Sequence, residues 1–274
     1  MRQSSSNPDF AAEATGRAAK PAAGSQTLLR GLDVIDAVAE GAIGLADLAT
    51  KLGLNRSTTH RLASALIDRR YLTFTPRVGY QLGPKLLAIG HLAQQQISMV
   101  QVSRPHLESL AATTEDTVHL GVHDGDRALY LAKIPGRRRI DISSRVGERH
   151  PLTSTGLGKA LLLEEEPSRW RKLFEQDRAA GAPAADYESW RGRMQDYVRA
   201  GRTFDLEENE DLIRCVAAPI RDASGAIIAA LSVSSAAQYM DDDRMEHLSD
   251  DVIATARAIS EDLGWSPAAS QRSA

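Results

Sequence analysis

At 274 residues, with 42% apolar and 25% charged side chains, the chain is long enough for two hydrophobic cores, and its composition is that of a globular protein rather than a disordered one. No apolar run reaches the roughly 18 residues that a membrane helix needs. The net charge of −3 conceals an uneven division, because residues 25–99 carry eight Lys/Arg against five Asp/Glu while residues 100–274 carry 22 against 29.

A mildly basic segment thus precedes an acidic one, which suits phosphate contact at the N-terminal end. Cys215 is the single cysteine, so an intrachain disulfide and a Cys-rich zinc site are both excluded. No basic-then-apolar leader opens the sequence, and a cytoplasmic location is expected.

In chain order, residues 1–24 are rich in Ala, Ser, Gly and Pro and read as a disordered tail. Ser25 can cap a helix with an inward face of Leu28, Leu32, Ile35 and Ala39. Leu45, Leu48, Ala49 and Leu52 give a second helix stopped at Gly53, and Asn55 caps a third with Thr59, Leu62, Ala63 and Leu66 inward. Two short helices joined by LGLN make a helix-turn-helix signal. YLTF and YQLG then read as two strands about a turn carrying Arg77, which is a wing. The winged helix is assigned to residues 25–83. A linker helix follows over residues 84–101, apolar on more than one side and so in need of a partner surface.

From residue 102 to 265 the pattern mixes helices and strands. TVHLGVH and RALYLAKI flank Asp124, Gly125 and Asp126 as a hairpin, and IDISSRV reads as a third strand. LTSTGLGKALLL is a loop entering a helix, with two more helices before Ala200. IRCVAAPI and AIIAALSVSS form a second hairpin, and a final helix precedes a tail at 266–274. The Arg137, Arg138 and Arg139 run reads as an exposed loop without a role. His119 and His123 lie four apart on a strand and can in principle share a metal with carboxylates, but two histidines make a weak signal.

The third helix offers Arg56, Ser57, Thr58, His60 and Arg61, donors suited to phosphate or base edges, although a solvated helix face has the same composition. Arg77 at the wing tip suits a minor groove or a phosphate, and equally a solubilising charge. In the C-terminal part, Gly156 and Leu157 begin a helix where backbone amides face outward, which favours an anion or is simply a helix start. Ser232 and Ser234 share one strand face, for a ligand or for each other. Cys215 is by default a small core residue, and Asp205 a solvated loop carboxylate.

Three blocks, GLADLATKLGLNRSTTHRLASAL with YLTFTPRVGYQLGPKLLAIG, then SSRVGERHPLTSTGLGKALL, then RCVAAPIRDASGAIIAALSVSS, together resemble the IclR family of bacterial transcription regulators. The resemblance implies an α+β protein: a winged helix-turn-helix joined by a linker helix to a GAF-like effector-binding domain, an antiparallel sheet flanked by helices. It implies homodimers that often pair into tetramers, a double-stranded DNA operator, and an effector pocket at the positions of Gly156, Leu157, Asp205, Cys215, Ser232 and Ser234. Thr59 departs from the apolar residue common at its position. Amides and hydroxyls suit a small carboxylate, and Asp205 suits ligand hydroxyls, so a hydroxy, keto, sugar or aromatic acid is expected. No cofactor is expected, and an enzyme is not expected either, since G-x-S-x-G, Walker A and Rossmann patterns are missing and no basic residue is obviously poised to activate Cys215. The alternatives are a GAF-like enzyme using Cys215 and a protein-binding adaptor.

Overall fold

The computed structural model describes residues 25–139, 142–181 and 186–267, so the tail expected at 1–24, and all of that expected at 266–274 except Ser266 and Pro267, lie outside the described residues. The chain divides into two compact units between Gln96 and Ile97. The first holds α1 (Ser25–Ala39), α2 (Leu45–Lys51), α3 (Arg56–Asp68), β1 (Leu72–Thr75), β2 (Gly79–Leu82) and α4 (Pro84–Gln96). Its core is Val34, Ala37, Val38, Leu48, Leu62, Ala63, Leu72 and Tyr80.

Local chemistry sets the angle between α2 and α3. Gly53 takes a left-handed φ of 62° just past α2, a conformation that a Cβ would strain. Asn55 then accepts the Thr58 N–H at 2.8 Å, which satisfies one of the free amides at the start of α3. Thr59 is fully buried and its hydroxyl donates to the Asn55 carbonyl at 3.1 Å, so a polar atom is accommodated inside the helix stripe. The hairpin β1–β2 is braced by Ile43, which exchanges backbone hydrogen bonds with Tyr80 at 3.2 and 2.9 Å. Gly79 faces that bridge with no room for a Cβ, which would collide with the Ile43 carbonyl.

Two expectations are corrected here. The inward face of α1 is Val34, Ala37 and Val38, whereas Leu28 and Leu32 are 66% and 48% exposed. Helical spacing fits both stripes, and contact with α2 and α3 selects the one nearer the C-terminal end of α1. The linker helix does not run through to residue 101. It stops at Gln96, and Ser98 caps a new helix by accepting the Gln101 N–H at 3.4 Å.

The second unit holds α5 (Met99–Thr114), β3 (Thr117–Asp124), β4 (Arg127–Ile134), β5 (Arg149–Pro151), α6 (Gly156–Leu161), α7 (Pro167–Ala179), α8 (Tyr187–Ala200), β6 (Thr203–Leu206), β7 (Ile213–Arg221), β8 (Ile227–Ala236) and α9 (Asp242–Asp262). The strands form one antiparallel sheet in the order β5-β4-β3-β8-β7-β6. Strand alternation puts Val118, Leu120, Val216, Ala218, Leu231 and Val233 on one face. These join Leu107, Leu110, Val252 and Ile259 of α5 and α9 in the main core. On the other face lies α6, packed against β3, β4, β6, β7 and β8.

IDISSRV does not form the third strand expected of it. Residues 140 and 141 lie outside the described residues, 142–145 carry no regular structure, and the strand beside β4 is Arg149–Pro151. Alternating apolar residues there serve a crossing segment, in which Ile142 and Ser144 are buried. Nor is Arg138 an idle loop charge. Its Nε donates at 2.8 Å to Asp116, whose side chain is shut from solvent and also receives Arg244 and the Ser235 hydroxyl. The cap at Asn55 yields the first prediction. Asn55→Ala lowers the stability of the N-terminal unit by about 1 kcal/mol, read as a lower denaturant midpoint in circular dichroism.

Candidate functional site

In the N-terminal unit the N-terminal half of α3 carries Arg56, Ser57, His60 and Arg61 exposed, with Thr58 half-buried beside its cap contact. Arg77 is exposed at the hairpin tip and holds a left-handed φ of 69°. A groove of about 720 Å3 runs between α3 and the hairpin, and both His60 and Arg77 line it along with Ser64, Phe74 and Val78. The structure therefore brings His60 of α3 and Arg77 of the hairpin to one groove, which Arg56, Ser57, Thr58 and Arg61 do not line.

In the C-terminal unit the sheet face toward α6 is polar, and its register organises it into two ranks. Asp205 lies opposite Cys215, Cys215 opposite Ser234, and Ser234 opposite Thr117. In the next rank Thr203 lies opposite Ala217, Ala217 opposite Ser232, Ser232 opposite His119, and His119 opposite Lys133. Cys215, Asp205 and Ser234 meet directly: the thiol sulfur is 3.1 Å from Ser234 Oγ and 3.9 Å from Asp205 Oδ2. Asp205 also accepts the Glu208 N–H at 2.8 Å.

Gly156 closes the group from α6. A Cβ on it would sit 3.2 Å from Cys215 Cβ and 3.6 Å from Asp205 Cβ, so a side chain here would require Cys215 to give by a few tenths of an ångström. Its carbonyl accepts the Thr203 hydroxyl at 2.7 Å, and its N–H is directed to the Cys215 sulfur. Thr155 caps α6 by accepting the Gly158 N–H at 2.9 Å. Gly156, Asp205, Cys215 and Ser234 are thus brought together and buried, with Ser232 buried in the neighbouring rank; Leu157 is buried as well, with its side chain beside Gly121 in the apolar core. The six-residue length of α6 leaves little macrodipole, so any attraction for an anion rests on individual amides.

The solvated loop position expected of Asp205 from its sequence neighbours is corrected. It lies on β6, a strand absent from the sequence reading, and is 2% exposed. Burial pushes its carboxyl up to about 6, against the opposing pull of the Lys159 ammonium and the Glu208 N–H. Burial, reinforced by Asp205, pushes the Cys215 thiol up as well, so it is held as a neutral thiol.

Three residues of this site escaped the sequence reading. Lys159 on α6 is 1% exposed and paired with Glu208, which Arg193 also reaches at 2.6 Å. Thr203 fixes Gly156, as above. His119, considered in sequence only as a metal ligand, has Nε2 at 2.8 Å from Ser144 Oγ and Nδ1 at 3.5 Å from Ser234 Oγ. Its signal was the polar alternation of Thr117 and His119 within an apolar strand. Among the described residues no group of three or more His, Cys, Asp and Glu is placed to hold a metal ion.

A winged helix followed by an α+β unit with a curled antiparallel sheet defines a regulator of transcription that carries its DNA-binding and effector domains on one chain. The chain belongs to the IclR family. Residues 27–76 match the family's helix-turn-helix domain, and residues 91–261 match the domain described as bacterial transcriptional regulator IclR C-terminal. It is 31% identical over 246 residues to the HTH-type transcriptional regulator XynR of Escherichia coli, a match covering 88% of this chain and 98% of that one. It is 29% identical over 252 residues, 89% of each chain, to the DNA-binding transcriptional repressor YiaJ of the same organism. The crystal structure of Pseudomonas aeruginosa HmgR has the same fold, with a TM-score of 0.77 at 23% identity over 88% of this chain and 99% of that one. No described helix is long and apolar enough to cross a membrane.

The raised Asp205 carboxyl yields a stability prediction whose sign follows from linkage. A folded-state value of about 6 against 3.8 for a free carboxyl means the native state binds the proton more tightly. The native state is therefore favoured below about pH 4 and loses that advantage as the pH rises through 6. Asp205→Asn keeps the acceptor for Glu208 and removes the buried charge. It should raise stability by about 1 to 3 kcal/mol at pH 7 to 8, a gain that disappears near pH 4, measured by denaturation at both pH values.

Proposed function

We propose that the protein binds a pseudo-palindromic operator as a homodimer, with a dimer of dimers as the larger assembly, and that a small carboxylate sensed in the C-terminal unit controls its hold on the DNA of a catabolic operon. The observation that carries the sensing half is the gathering of Gly156, Leu157, Asp205, Cys215, Ser232 and Ser234 around one buried polar patch. Among the described residues the buried side-chain polar atoms without a partner belong to Ser103, His123 and His150, so an acid entering this patch exchanges hydrogen bonds already made within it for bonds to its own oxygens. The hydroxyls of Ser232 and Ser234 and the Leu157 amide donate to the carboxylate, the Gly156 amide joins them by turning from the Cys215 sulfur, and Asp205 accepts from a ligand hydroxyl. Hydroxy, keto, sugar and aromatic acids all fit this chemistry. The buried, protonated thiol of Cys215 supports a contact role over a nucleophilic one.

For DNA, Arg56, Ser57, Thr58, His60 and Arg61 enter the major groove on α3 and Arg77 follows from the hairpin. Dimer symmetry then appears in the operator. Repression is the mode we favour, because YiaJ is named a repressor. The site calls for no cofactor, and the protein acts in the cytoplasm.

The DNA half is tested by fluorescence anisotropy on operator fragments across a salt series. Affinity falls steeply with salt, and Arg61→Ala costs on the order of 1 to 3 kcal/mol where it reads a base. Indifference to both the salt and the substitution would sink this half. The sensing half is tested by calorimetry with pyruvate, gluconate and benzoate as representatives of the acid classes. Asp205→Ala and Ser234→Ala should leave DNA affinity without acid nearly unchanged and raise the acid concentration required by roughly 2- to 150-fold, matching the loss of one hydrogen bond. Wild-type acid affinity in both variants would return these residues to a purely structural role.

A further inference from the structure

His119 stands between two hydroxyls on opposite sides of the polar patch. Ser234 belongs to the site proposed above, whereas Ser144 belongs to the segment following the β3–β4 hairpin. The ring is 2% exposed and lies 5.0 Å, centroid to centroid, from Tyr130, which in turn lies 4.4 Å from His150. Burial, the neighbouring Lys133 ammonium and His150 hold the imidazole down at about 3, so it is neutral. Lys133 donates to the carbonyls of Ile142 and Ser144 at 2.5 and 2.9 Å and keeps Ser144 against the ring.

A neutral imidazole has one N–H and one lone pair. It can bridge two hydroxyls in only two ways. With the proton on Nε2, the ring donates to Ser144 and takes the Ser234 hydroxyl proton at Nδ1, so that proton is engaged. With the proton on Nδ1, the ring donates to Ser234 Oγ and accepts from Ser144, so the Ser234 proton is free for something else. A carboxylate oxygen only accepts.

Resting on the carboxylate reading of the site, we propose that His119 is a further specificity-determining residue of the effector site, which selects anionic acceptors by adopting the Nδ1–H form that releases the Ser234 hydroxyl proton to the bound acid. In the exchange one proton leaves Nε2 to water and one is taken up at Nδ1, so the ring stays neutral and no charge is created. A ligand presenting only a donor to Ser234 gains nothing from this form. Ser144, on the far side of the ring, reverses its own hydrogen bond in step, and the segment that carries it reports occupancy of the site.

The test is nitrogen NMR on histidine-labelled full-length protein, with the His119 signals assigned by their loss in His119→Gln. Saturation with whichever of pyruvate, gluconate or benzoate binds should leave His119 as the Nδ1–H tautomer. Calorimetry supplies the second arm. His119→Phe, which keeps the ring against Tyr130, should weaken the acid at least tenfold, and His119→Gln, which keeps one donor and one acceptor, should stay within about threefold. Ser144→Ala gives the same reading from the other side of the ring if the Phe variant fails to fold. An Nε2–H tautomer in the saturated complex, or undiminished acid affinity in a folded His119→Phe or Ser144→Ala protein, overturns the inference while leaving the site intact. Failure of every acid to bind the wild type overturns the site reading and this inference with it.

Discussion

The strand register around Ser234, which faces Cys215 on one side and Thr117 on the other, fixes everything that follows in the C-terminal unit. Side chains on a strand alternate between faces, so a slip of one residue on β8 would carry Ser232 and Ser234 into the apolar layer beneath α5 and α9. It would also bring Leu231 and Val233 up against Asp205 and Cys215. Both layers would fail together, one by exposing apolar surface to a polar patch and the other by stranding hydroxyls in a dry core. The apolar face therefore enforces the geometry of the polar one, and the site needs no rigid frame beyond the core.

The polar face carries its own costs, which are met locally. Thr203 is bonded to Gly156, and Thr155 both caps α6 and donates to the Pro151 carbonyl at 2.7 Å. Asp177 accepts from the amide and hydroxyl of Thr153 and from Arg127, which anchors the start of α6 to α7. On the opposite face the closed carboxylate of Asp116 does similar work by joining Arg138, Arg244 and Ser235. Breaking such a buried pair by removing one partner costs more than the pair contributes over an apolar replacement. The Asp116 group fixes where the 136–139 loop leaves β4, by holding Arg138.

What was legible in the sequence follows the physics that is local. The caps at Asn55 and the stop at Gly53 are decided within four residues, and the helix-turn-helix was read from them without a partner surface. The two hairpins were likewise announced by their turn residues. Reading failed where a distant neighbour decides. On α1 two apolar stripes satisfy helical spacing, and only packing against the other helices selects Val34, Ala37 and Val38. Asp205 looked solvated because β6 is four residues long and borrows its stability from β7. His119 was visible as a polar residue on an apolar strand, but its two partners lie 25 and 115 residues away in sequence.

The break between α4 and α5 constrains how sensing and DNA binding can be joined. A continuous helix would pass a rotation or a shift along its axis directly, whereas the cap at Ser98 ends one hydrogen-bonded ladder and starts another. An acid changes DNA affinity only to the extent that it binds one arrangement of the protein better than another. Linkage makes the effect reciprocal: an acid that weakens operator binding by some factor binds the operator complex more weakly by that same factor. Among the described residues Leu87 and Leu92 on α4 are exposed, and in the proposed homodimer a second subunit seated there would give the two arrangements a surface on which to differ. In the homodimer proposed above, an acid's influence on DNA would then depend on how two copies meet.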